Sequence, residues 1–332
     1  MYFPAVPSNT SLDRLRTLPR HPLGHYPTPL EELPRLRQAL GDMAPRLLVK
    51  RDDSISFAFG GNKVRKLEMV LPDAIAKGAD TLVTIGGVHS NHVRVTASAA
   101  ARTGLGCVVI LNGARPRRPS GNALLDELAG ATVHYVKARE ERVPRMRAVM
   151  DDLTRAGRRP YEVPLGASTP LGALGYALAV VELVEQGARP DAIVLSSSSG
   201  GTLAGVVAGV ELCGLRTRVL AISPDDPAAE IAGAAERIIE GMGPLLDLDG
   251  PAFARRHKIQ VDDAFVGEGY GIQTEASREA ITLAARSEAL YLDPTYTAKA
   301  MAGLIAYVRE GRFKKDETVL FWHTGGQVEL VS

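Results

Sequence analysis

Residues 60–68 read GGNKVRKLE, a glycine turn that runs directly into the start of a helix. Asn62 is predicted to be the N-cap, because its side-chain oxygen can accept a hydrogen bond from a free backbone N–H of the first turn. Helical spacing then places positions 63, 67, 70, 71, 74 and 75 on one face, where they read Lys, Leu, Val, Leu, Ala and Ile. A lysine therefore opens an apolar stripe, while the other charged residues of the helix, Lys66 among them, lie elsewhere.

Lys63, at the head of this stripe, allows two interpretations. Its stem could lie on the core while its amine reaches water. Alternatively, removal from water could shift the amine towards its neutral, nucleophilic form, which is able to form a Schiff base with a carbonyl compound. The spacing alone leaves both interpretations open.

Length and composition are those of a globular protein with a large core. The chain has 332 residues, enough for two domains, of which 45% are apolar and 23% charged, and its net charge is +1. So small a charge argues against nucleic acid or an anionic membrane as a partner.

Cys107 and Cys213 lie in apolar runs outside any Cys-x-x-Cys pair, which predicts core residues rather than a disulfide or a zinc site. No apolar run is long enough to span a bilayer and residues 1–20 lack the apolar segment of a signal peptide, so we expect a cytoplasmic protein.

Strand and helix patterns alternate along most of the chain. Residues 63–156 read as repeated β-α units, which imply a parallel sheet with right-handed crossovers, and a second α/β set follows a return linker at residues 157–166. The helix that begins at Lys63 should break, or restart, at Pro72. Strands are predicted at residues 47–50, 81–85, 107–111, 132–136, 192–195, 218–222 and 318–322, and helices at residues 30–40, 122–128, 138–156, 170–186, 228–240, 274–287 and 297–309.

Three strand-to-helix turns are unusually polar and rich in glycine, at residues 86–91, 196–202 and 323–326. Turns at the carboxyl ends of parallel strands are where doubly wound folds bind ligands. In the second turn, Gly200 and Gly201 allow close backbone approach, and the following helix directs free N–H groups at an anion. The turn matches neither a P-loop nor Gly-x-Gly-x-x-Gly, so a phosphate cradle and a plain serine-capped loop both remain open.

Other polar pairs have a structural interpretation on local grounds. Ser90 and Asn91 can cap the helix that follows them. His89 and His92 are close in sequence but have no third ligand nearby, which argues against a metal site. The pair Asp52–Asp53 follows two basic residues, which predicts structural ion pairs.

A lysine that opens an apolar stripe and a turn that could hold a phosphate suit one cofactor. Pyridoxal 5'-phosphate needs a lysine for its aldehyde and an anion site for its phosphate, and no nucleotide-binding fingerprint competes. The motifs GGNKVRKLE at residues 60–68 and IGGVHSNH at residues 85–92 also closely resemble those of the 1-aminocyclopropane-1-carboxylate (ACC) deaminase and D-cysteine desulfhydrase family. The resemblance covers nearly the whole chain, from Tyr26–Leu30 to His323–Gly326.

The resemblance implies a fold and a domain organisation. Members of this family are fold-type II pyridoxal-phosphate enzymes of the tryptophan synthase β-like superfamily. This implies two doubly wound α/β domains with mostly parallel sheets and the cofactor between them. Residues 1–52 with 160–332 would form a large cofactor-binding domain, and residues 53–159 a small α/β domain. The resemblance also implies a homodimer that acts on a small amino acid.

Individual positions match the family's functional residues. Lys63 matches the lysine that forms the Schiff base, Asn91 the asparagine that contacts the cofactor's 3-hydroxyl, and Ser90 the serine near the substrate carboxylate. Tyr296 matches a tyrosine stacked near the cofactor ring, and Tyr270 matches a second active-site tyrosine. The phosphate loop is matched by Ser199, Gly200, Gly201 and Thr202.

Two positions separate the branches of the family. ACC deaminases carry glutamate where this chain has Thr297, next to the ring nitrogen, and leucine where it has Thr324, whereas D-cysteine desulfhydrases carry threonine at both. A carboxylate keeps the ring nitrogen protonated, while a threonine hydroxyl holds it neutral, which favours prompt β-elimination. We therefore expect D-cysteine to be converted to pyruvate, sulfide and ammonia, with Lys63 as the base at Cα.

The sequence leaves other substrates open, and it also leaves open a protein without catalytic activity. His89, His92 and a short segment at residues 112–121 depart from the usual family pattern, which leaves L-cysteate, D-serine or ACC open as the substrate. A non-catalytic carrier of the cofactor would bind it without turnover of any amino acid.

Overall fold

The computed structural model describes residues 9–332, which form two sheets and the helices that cover them. The strands are β1 (Leu30–Glu32), β2 (Arg46–Arg51), β3 (Thr81–Gly87), β4 (Gly106–Asn112), β5 (Thr132–Val136), β6 (Pro160–Val163), β7 (Ala192–Ser196), β8 (Arg218–Ile222), β9 (Gln260–Asp262) and β10 (Thr318–His323). The helices are α1 (Thr10–Thr17), α2 (Pro34–Ala39), α3 (Asn62–Ala76), α4 (Asn91–Thr103), α5 (Gly121–Leu128), α6 (Arg142–Arg155), α7 (Pro170–Glu185), α8 (Gly201–Leu212), α9 (Ala228–Leu245), α10 (Gly250–Arg255), α11 (Glu275–Glu288) and α12 (Thr297–Arg309).

The larger sheet has six strands in the order β1-β2-β10-β7-β8-β9, and every neighbouring pair is parallel except β1 with β2. Successive residues of β10 alternate between two cores, because side chains along a strand point to opposite faces. Leu320 and Trp322 pack with α7 and α8 on one face, while Val319 and Phe321 pack with α12 on the other. Within residues 9–332 no helix, the apolar α7 and α8 included, has the length and hydropathy that a bilayer crossing requires.

The smaller sheet has four strands in the order β5-β4-β3-β6, all parallel. Helices α3 and α4 contribute to the core on one face, and Met146 and Val149 of α6 cover the other face. Both sheets are thus covered on two sides, as parallel sheets generally are. The predicted fold class, two doubly wound α/β units with mostly parallel sheets, is confirmed.

Strand β6 lies where the sequence predicts a linker. It pairs in parallel with β3, and of its four residues only Val163 is fully buried, so its hydrophobic pattern is weak. The predicted domain division assigns β6 to the large domain, whereas its hydrogen bonds lie in the smaller sheet. We therefore propose a boundary after Val163. Helices α1 and α10 and strand β9 are further short elements that the sequence patterns do not predict.

Helix α3 runs without a break through Pro72, contrary to prediction. Proline has no N–H to donate to the carbonyl of Glu68, one turn earlier in the helix. The backbone N–H of His21 donates to that carbonyl oxygen instead, at 2.8 Å. The N-terminal segment therefore satisfies the acceptor that the proline leaves free, and the helix continues.

The start of α3 is fixed by contacts with two other predicted turns. Gly61, not Asn62, is the N-cap. Gly61 has φ of +100°, and a Cβ there would lie 3.0 Å from the carbonyl oxygen of Thr324. The backbone N–H of Asn62 donates to that same oxygen at 2.9 Å, and its side-chain amide donates to the Thr202 hydroxyl at 3.0 Å. The turn therefore joins the end of β10 to the start of α8.

A network of buried charged side chains lies next to this turn. The predicted local ion pair is confirmed for Arg51 with Asp53, at 2.8 Å. It is wrong for Lys50, whose ammonium pairs with Glu182 of α7, and for Asp52, which is fully buried and bonds to residues distant in sequence. The carboxylate of Asp52 accepts hydrogen bonds from Thr28 at 3.0 Å, Arg65 at 2.8 Å, Tyr176 at 2.6 Å and Trp322 at 2.9 Å.

Candidate active site

A cavity of about 280 Å³ lies between the two sheets, at the carboxyl ends of their parallel strands. The three polar turns predicted from the sequence all contribute to its wall, as the geometry of doubly wound folds requires. Among the predicted site residues, the structure brings nine to this cavity: Lys63, Ser90, Asn91, Ser199, Gly200, Thr202, Tyr270, Tyr296 and Thr324.

Lys63 faces the cavity from the first turn of α3 and is partly exposed to it. Among residues 9–332 its amine has neither a hydrogen-bond nor an ion-pair partner. Removal from bulk water lowers the pKa of this amine to about 8, because burial disfavours the charged form. A substantial neutral fraction is therefore present near neutral pH, as a nucleophilic amine requires. Of the two interpretations of Lys63, the structure favours the desolvated amine.

Lys66, one turn along the helix, is a site residue that the sequence analysis missed. It is only 1% exposed, and its ammonium donates to the carbonyl of Gly166 and the hydroxyl of Ser168, both at 3.1 Å. Burial, reinforced by the neighbouring charge of Lys63, lowers the pKa of Lys66 well below its usual value. No carboxylate pairs with it among residues 9–332. A buried ammonium with only neutral acceptors marks a place where an anion would be stabilised.

The predicted phosphate turn lies directly over Lys66. A Cβ on Gly201 would approach the Lys66 amine to 2.8 Å and the Ser168 hydroxyl to 2.6 Å, so only glycine allows this contact. The hydroxyls of Ser168 and Ser199 lie 2.7 Å apart. Helix α8 begins at Gly201, so its free N–H groups and positive dipole end are next to the ammonium. Of the two interpretations of this turn, the phosphate cradle therefore has more support than a plain capped loop.

Two further serines of the same turn lack partners. The hydroxyls of Ser196 and Ser197 are buried, line the cavity, and have no hydrogen-bond partner within residues 9–332. Buried polar atoms are rarely left unsatisfied. The cavity wall is therefore suited to a polar ligand that supplies these bonds.

Asn91 is held in one orientation by residues behind it. Its side-chain oxygen accepts from a guanidinium nitrogen of Arg94 at 2.7 Å and from the amide of Asn122 at 3.1 Å. Because arginine can only donate, the oxygen must face Arg94. The amide nitrogen of Asn91 is then directed to the other side, where this residue lines the cavity. Arg94 and Asn122 are both fully buried, and neither is marked by a sequence motif.

Ser90 is the N-cap of α4, as predicted, and its hydroxyl accepts from the backbone N–H of Val93 at 3.4 Å. It also lines the cavity, so the capping role and the predicted role near the substrate are compatible.

The two histidines that flank Ser90 and Asn91 differ in their exposure. His92 is buried and lines the cavity, whereas the side chain of His89 is exposed and does not line it.

Tyr270 and Tyr296 form a pair at the mouth of the cavity. Their hydroxyl oxygens lie 2.6 Å apart and their rings pack edge to face. Burial raises the pKa of Tyr270 to about 12, although 40% of this residue is exposed, and burial raises the pKa of Tyr296 well above its usual value. Both hydroxyls are therefore protonated near neutral pH, so one donates to the other and the second keeps a free proton.

The two threonines that separate the branches lie in different settings. Thr324 lines the cavity. Thr297 is fully buried and does not line it, because its hydroxyl donates to Asp293 at 2.6 Å and accepts from the backbone N–H of that residue at 2.8 Å. The proximity of Thr297 to a cofactor ring therefore stays a prediction.

Two arginines on the smaller unit, Arg139 and Arg142, also line the cavity. Both lie within residues 138–156, which the sequence predicts to be one helix and which carry many charged side chains. No sequence motif marks either arginine, because only the packing of the two units brings this segment to the cavity.

The residues present fit pyridoxal 5'-phosphate on chemical grounds. Lys66, with the start of α8, supplies an anion site, and Lys63 supplies an amine of lowered pKa in the same cavity. The unpartnered hydroxyls of Ser196 and Ser197 offer further polar contacts.

Comparison with known proteins identifies the family of the chain. The profile of a family described as pyridoxal-phosphate dependent enzyme matches residues 22–325. A protein of Klebsiella pneumoniae (strain 342) named D-cysteine desulfhydrase is 37% identical over 328 residues, covering 96% of this chain and 98% of the relative. A Salmonella typhi protein of the same name is 38% identical over 327 residues, covering 96% and 97%. A crystal structure titled as an ACC deaminase homologue superposes with a TM-score of 0.89 at 33% identity, covering 98% of this chain and 97% of the other.

Proposed function

The chain belongs to the family of pyridoxal-phosphate-dependent enzymes, and we propose that it removes a β-substituent and ammonia from a small amino acid, with D-cysteine as the leading substrate. D-cysteine and water would give pyruvate, sulfide and ammonia. The two relatives named D-cysteine desulfhydrase, which match almost end to end, support this choice.

One observation carries the proposal: the unpartnered amine of Lys63 faces a cavity whose wall at Gly166 lies against the buried amine of Lys66. Bound pyridoxal phosphate supplies an electron sink for negative charge at the substrate Cα. Lys63 would hold the cofactor through its amine and would remove the proton from the substrate Cα. The phosphate would be held by Lys66, Ser199, Gly200, Gly201 and Thr202.

The remaining residues of the site would bind and orient the substrate. We assign the substrate carboxylate to Ser90 and the cofactor's 3-hydroxyl to the amide nitrogen of Asn91. Of the paired hydroxyls of Tyr270 and Tyr296, the one that accepts from the other can donate its own proton to a leaving sulfur as the Cβ–S bond breaks. Thr324, on the cavity wall, supports the D-cysteine branch over ACC, as does Thr297 if it reaches the ring nitrogen.

The experiment is a substrate panel on cofactor-replete protein. Sulfide and pyruvate release from D-cysteine is measured beside 2-oxobutanoate release from ACC, and pyruvate release from D-serine and L-cysteate. We expect D-cysteine to give the highest kcat/KM. Cofactor binding with no turnover of any of them would support a carrier and contradict the proposal.

A lysine variant tests the role of Lys63. Lys63→Ala should lose both the visible absorption of the covalently held cofactor and the activity. Lys77→Ala is the matched control, because Lys77 is exposed near the end of the same helix. Visible absorption that persists in Lys63→Ala would contradict the assignment.

We further propose a homodimer, from the family resemblance, and a cytoplasmic location, from the lack of an apolar run long enough to span a bilayer. Sedimentation equilibrium of the holoenzyme checks the first, where a monomer mass would contradict it. Fractionation of expressing cells checks the second.

A further inference from the structure

Lys299 is a fully buried lysine that belongs to no sequence motif and does not line the cavity. It lies in the first turn of α12, with 0% of its surface exposed. Its amine donates to three backbone carbonyl oxygens, those of Pro224 at 2.9 Å, Val266 at 2.7 Å and Gly269 at 2.8 Å. Because a carbonyl only accepts and a neutral amine has two N–H groups, three such bonds require the ammonium form. Lys299 is therefore a buried cation whose three donors are all used.

The position of this cation in its helix is unfavourable. The free N–H groups at the start of a helix carry partial positive charge, which disfavours a cation in the first turn. Removal of an ammonium from water costs further free energy. An uncharged side chain at residue 299 would avoid both costs, so what distinguishes a lysine here is its bonds to the three carbonyls.

Two of the three carbonyls belong to the Tyr270 segment, residues 263–274, which joins β9 to α11 without forming a helix or a strand. Within the described chain, the backbone of residues 264–272 otherwise hydrogen-bonds only to residues two or three positions away. An example is the bond from the Ile272 N–H to the Gly269 carbonyl, at 3.4 Å. Lys299 is therefore the contact that ties the backbone of this segment to α12, and it does so at two points.

Tyr270 directly follows one of the bonded carbonyls. The glycines on either side of it, Gly269 and Gly271, have φ of +142° and +74°, conformations that a residue with a side chain rarely adopts. Such a pair of glycines leaves the backbone around Tyr270 free to move when nothing holds it. The Tyr270 hydroxyl oxygen lies 2.6 Å from that of Tyr296, which is the N-cap residue of α12. Tyr270 is therefore held from the start of α12 at both its backbone and its hydroxyl.

The third carbonyl belongs to a loop that reaches the rest of the site. Pro224 lies in the loop after β8, and the next residue, Asp225, pairs with Arg139 of the smaller unit at 2.8 Å. Asp226 of the same loop accepts a hydrogen bond from the hydroxyl of Ser198, in the predicted phosphate turn, at 3.1 Å. The buried ammonium thus joins the Tyr270 segment to a loop that contacts both the smaller unit and the phosphate turn.

We propose that Lys299 is a positioning residue for the reaction: its ammonium holds the Tyr270 segment so that the paired hydroxyls of Tyr270 and Tyr296 lie at the cavity. This inference rests on the proposed β-elimination, in which one of these hydroxyls gives its proton to the leaving sulfur. Lys299 is not part of the cavity wall and acts only through the two tyrosines. Loss of the ammonium leaves three carbonyls without this donor and frees the Tyr270 segment, so the proton donor is misplaced while the cofactor site stays intact.

The kinetic test compares Lys299→Met with Arg309→Met in the holoenzyme. Methionine keeps an unbranched side chain but has no N–H to donate, and Arg309 is an exposed cation at the end of the same helix. Chloride needs no proton to leave, whereas the sulfur of D-cysteine leaves more readily when it is protonated. We expect Lys299→Met to lower kcat/KM about ten- to a hundredfold for D-cysteine and less than about threefold for D-β-chloroalanine. Arg309→Met should change neither value more than about twofold.

A double-mutant cycle tests whether Lys299 acts through Tyr270. Tyr270→Phe removes the hydroxyl that Lys299 is inferred to position. In the Tyr270→Phe background, Lys299→Met should lower kcat/KM for D-cysteine by less than about threefold further, because residues that act as one unit are not additive. Losses that multiply in the double variant would contradict the inference. Equal losses for D-cysteine and D-β-chloroalanine would also contradict it, because general damage to the site affects both substrates.

A third measurement needs no turnover. Chymotrypsin cuts after tyrosines in exposed, mobile segments, and cleavage after Tyr270 is followed by mass spectrometry of the digested holoenzyme. We expect this cleavage to be at least about tenfold faster in Lys299→Met than in the wild type or in Arg309→Met. Cleavage at other sites should stay within about twofold, and the cofactor absorption should be unchanged. If Lys299→Met does not fold, Lys299→Gln, which keeps two N–H donors, replaces it in every measurement.

The outcomes separate this inference from the proposed function. Equal cleavage after Tyr270 in Lys299→Met and the wild type would overturn the inference and leave the proposed elimination intact. Failure of both Lys299 variants to fold would assign the residue to the stability of the fold and would overturn its positioning role as well. Absence of turnover in the wild type would contradict the proposed function, and the cleavage rates would still decide whether Lys299 holds the Tyr270 segment.

Discussion

The Nε2 of His92 lies 2.7 Å from the hydroxyl oxygen of Thr84, and that hydroxyl lies 2.7 Å from the carbonyl oxygen of Val163. A carbonyl only accepts, so the single hydroxyl proton of Thr84 is committed to Val163. His92 must then donate from Nε2, and its Nδ1 is left as a lone-pair acceptor. Burial, together with the charges of Lys63 and Lys66, lowers the pKa of His92 well below its usual value and keeps the ring neutral.

Replacing Thr84 tests the two hydrogen bonds that link His92, Thr84 and Val163. Thr84→Val removes the acceptor of the buried His92 N–H and the donor to the Val163 carbonyl. The free energy of unfolding of the cofactor-free protein should fall by about 1–3 kcal/mol, the usual cost of buried unsatisfied groups. Urea unfolding measures it. Thr103→Val is the control, because its hydroxyl bonds only to carbonyls of its own helix, at 2.8 and 3.2 Å. Equal stability of the two variants would contradict the role of these two hydrogen bonds.

The lowered pKa of Lys63 predicts how the cofactor-free protein takes up pyridoxal phosphate. Only the neutral amine attacks the aldehyde, so the rate should rise with pH and level off above the pKa of about 8. An ordinary lysine would keep gaining rate up to about pH 10. Stopped-flow absorbance measures the rate, and Lys77→Ala should follow the wild-type profile. A rate that still rises steeply above pH 9 would contradict the desolvated amine.

Lys66 should stabilise the bound anion, but it should lower the stability of the cofactor-free protein. Its folded pKa lies below its unfolded value, so the unfolded chain binds more protons and stability rises as the pH rises towards about 10. Lys66→Met should make that rise shallower in the cofactor-free protein, and it should weaken cofactor binding at least tenfold. Urea unfolding across this pH range and equilibrium dialysis measure the two effects. An unchanged slope would contradict the lowered pKa of Lys66.

Helix α3 shows what a one-dimensional pattern can predict. Lys63 was found from its spacing because an apolar stripe follows it. Lys66 was missed because the same spacing places it on the other side, which would be solvent for a surface helix. In the structure every residue from Val64 to Leu71 is buried, because the helix lies between two covered sheets. A helix without an exposed face leaves no pattern that separates its functional residues from its core.

The fold was predictable where strands are continuous apolar runs, and less so where tertiary contacts replace local rules. Pro72 should break a helix by itself, and only the N–H of His21 explains why it does not. Arg142 lies on a helix whose charges are typical of a solvated surface, and only the packing of the two units brings it to the cavity. The partners of Asn91 are likewise assembled from separate elements, since Asn122 belongs to α5.

The orientation of Asn91 can be tested through the colour of the bound cofactor. Its amide nitrogen, directed into the cavity, should donate to the cofactor's 3-oxygen and favour the deprotonated form of that oxygen. Arg94→Met removes the donor that fixes the amide. We expect the apparent pKa of the visible absorption band to rise by about one unit, the equivalent of one ordinary hydrogen bond. A spectrophotometric pH titration of the holoenzyme measures it.

The controls separate orientation from general damage to the helix. Asn91→Ala should raise the apparent pKa of the band by at least as much as Arg94→Met, because it removes the donor itself. Arg102→Gln should leave the band unchanged, since Arg102 is exposed on the same helix α4. If Asn91→Ala shifts the band and Arg94→Met does not, the amide is oriented without Arg94. If neither shifts it, Asn91 does not contact the 3-oxygen, and the assignment from the family resemblance fails at this position.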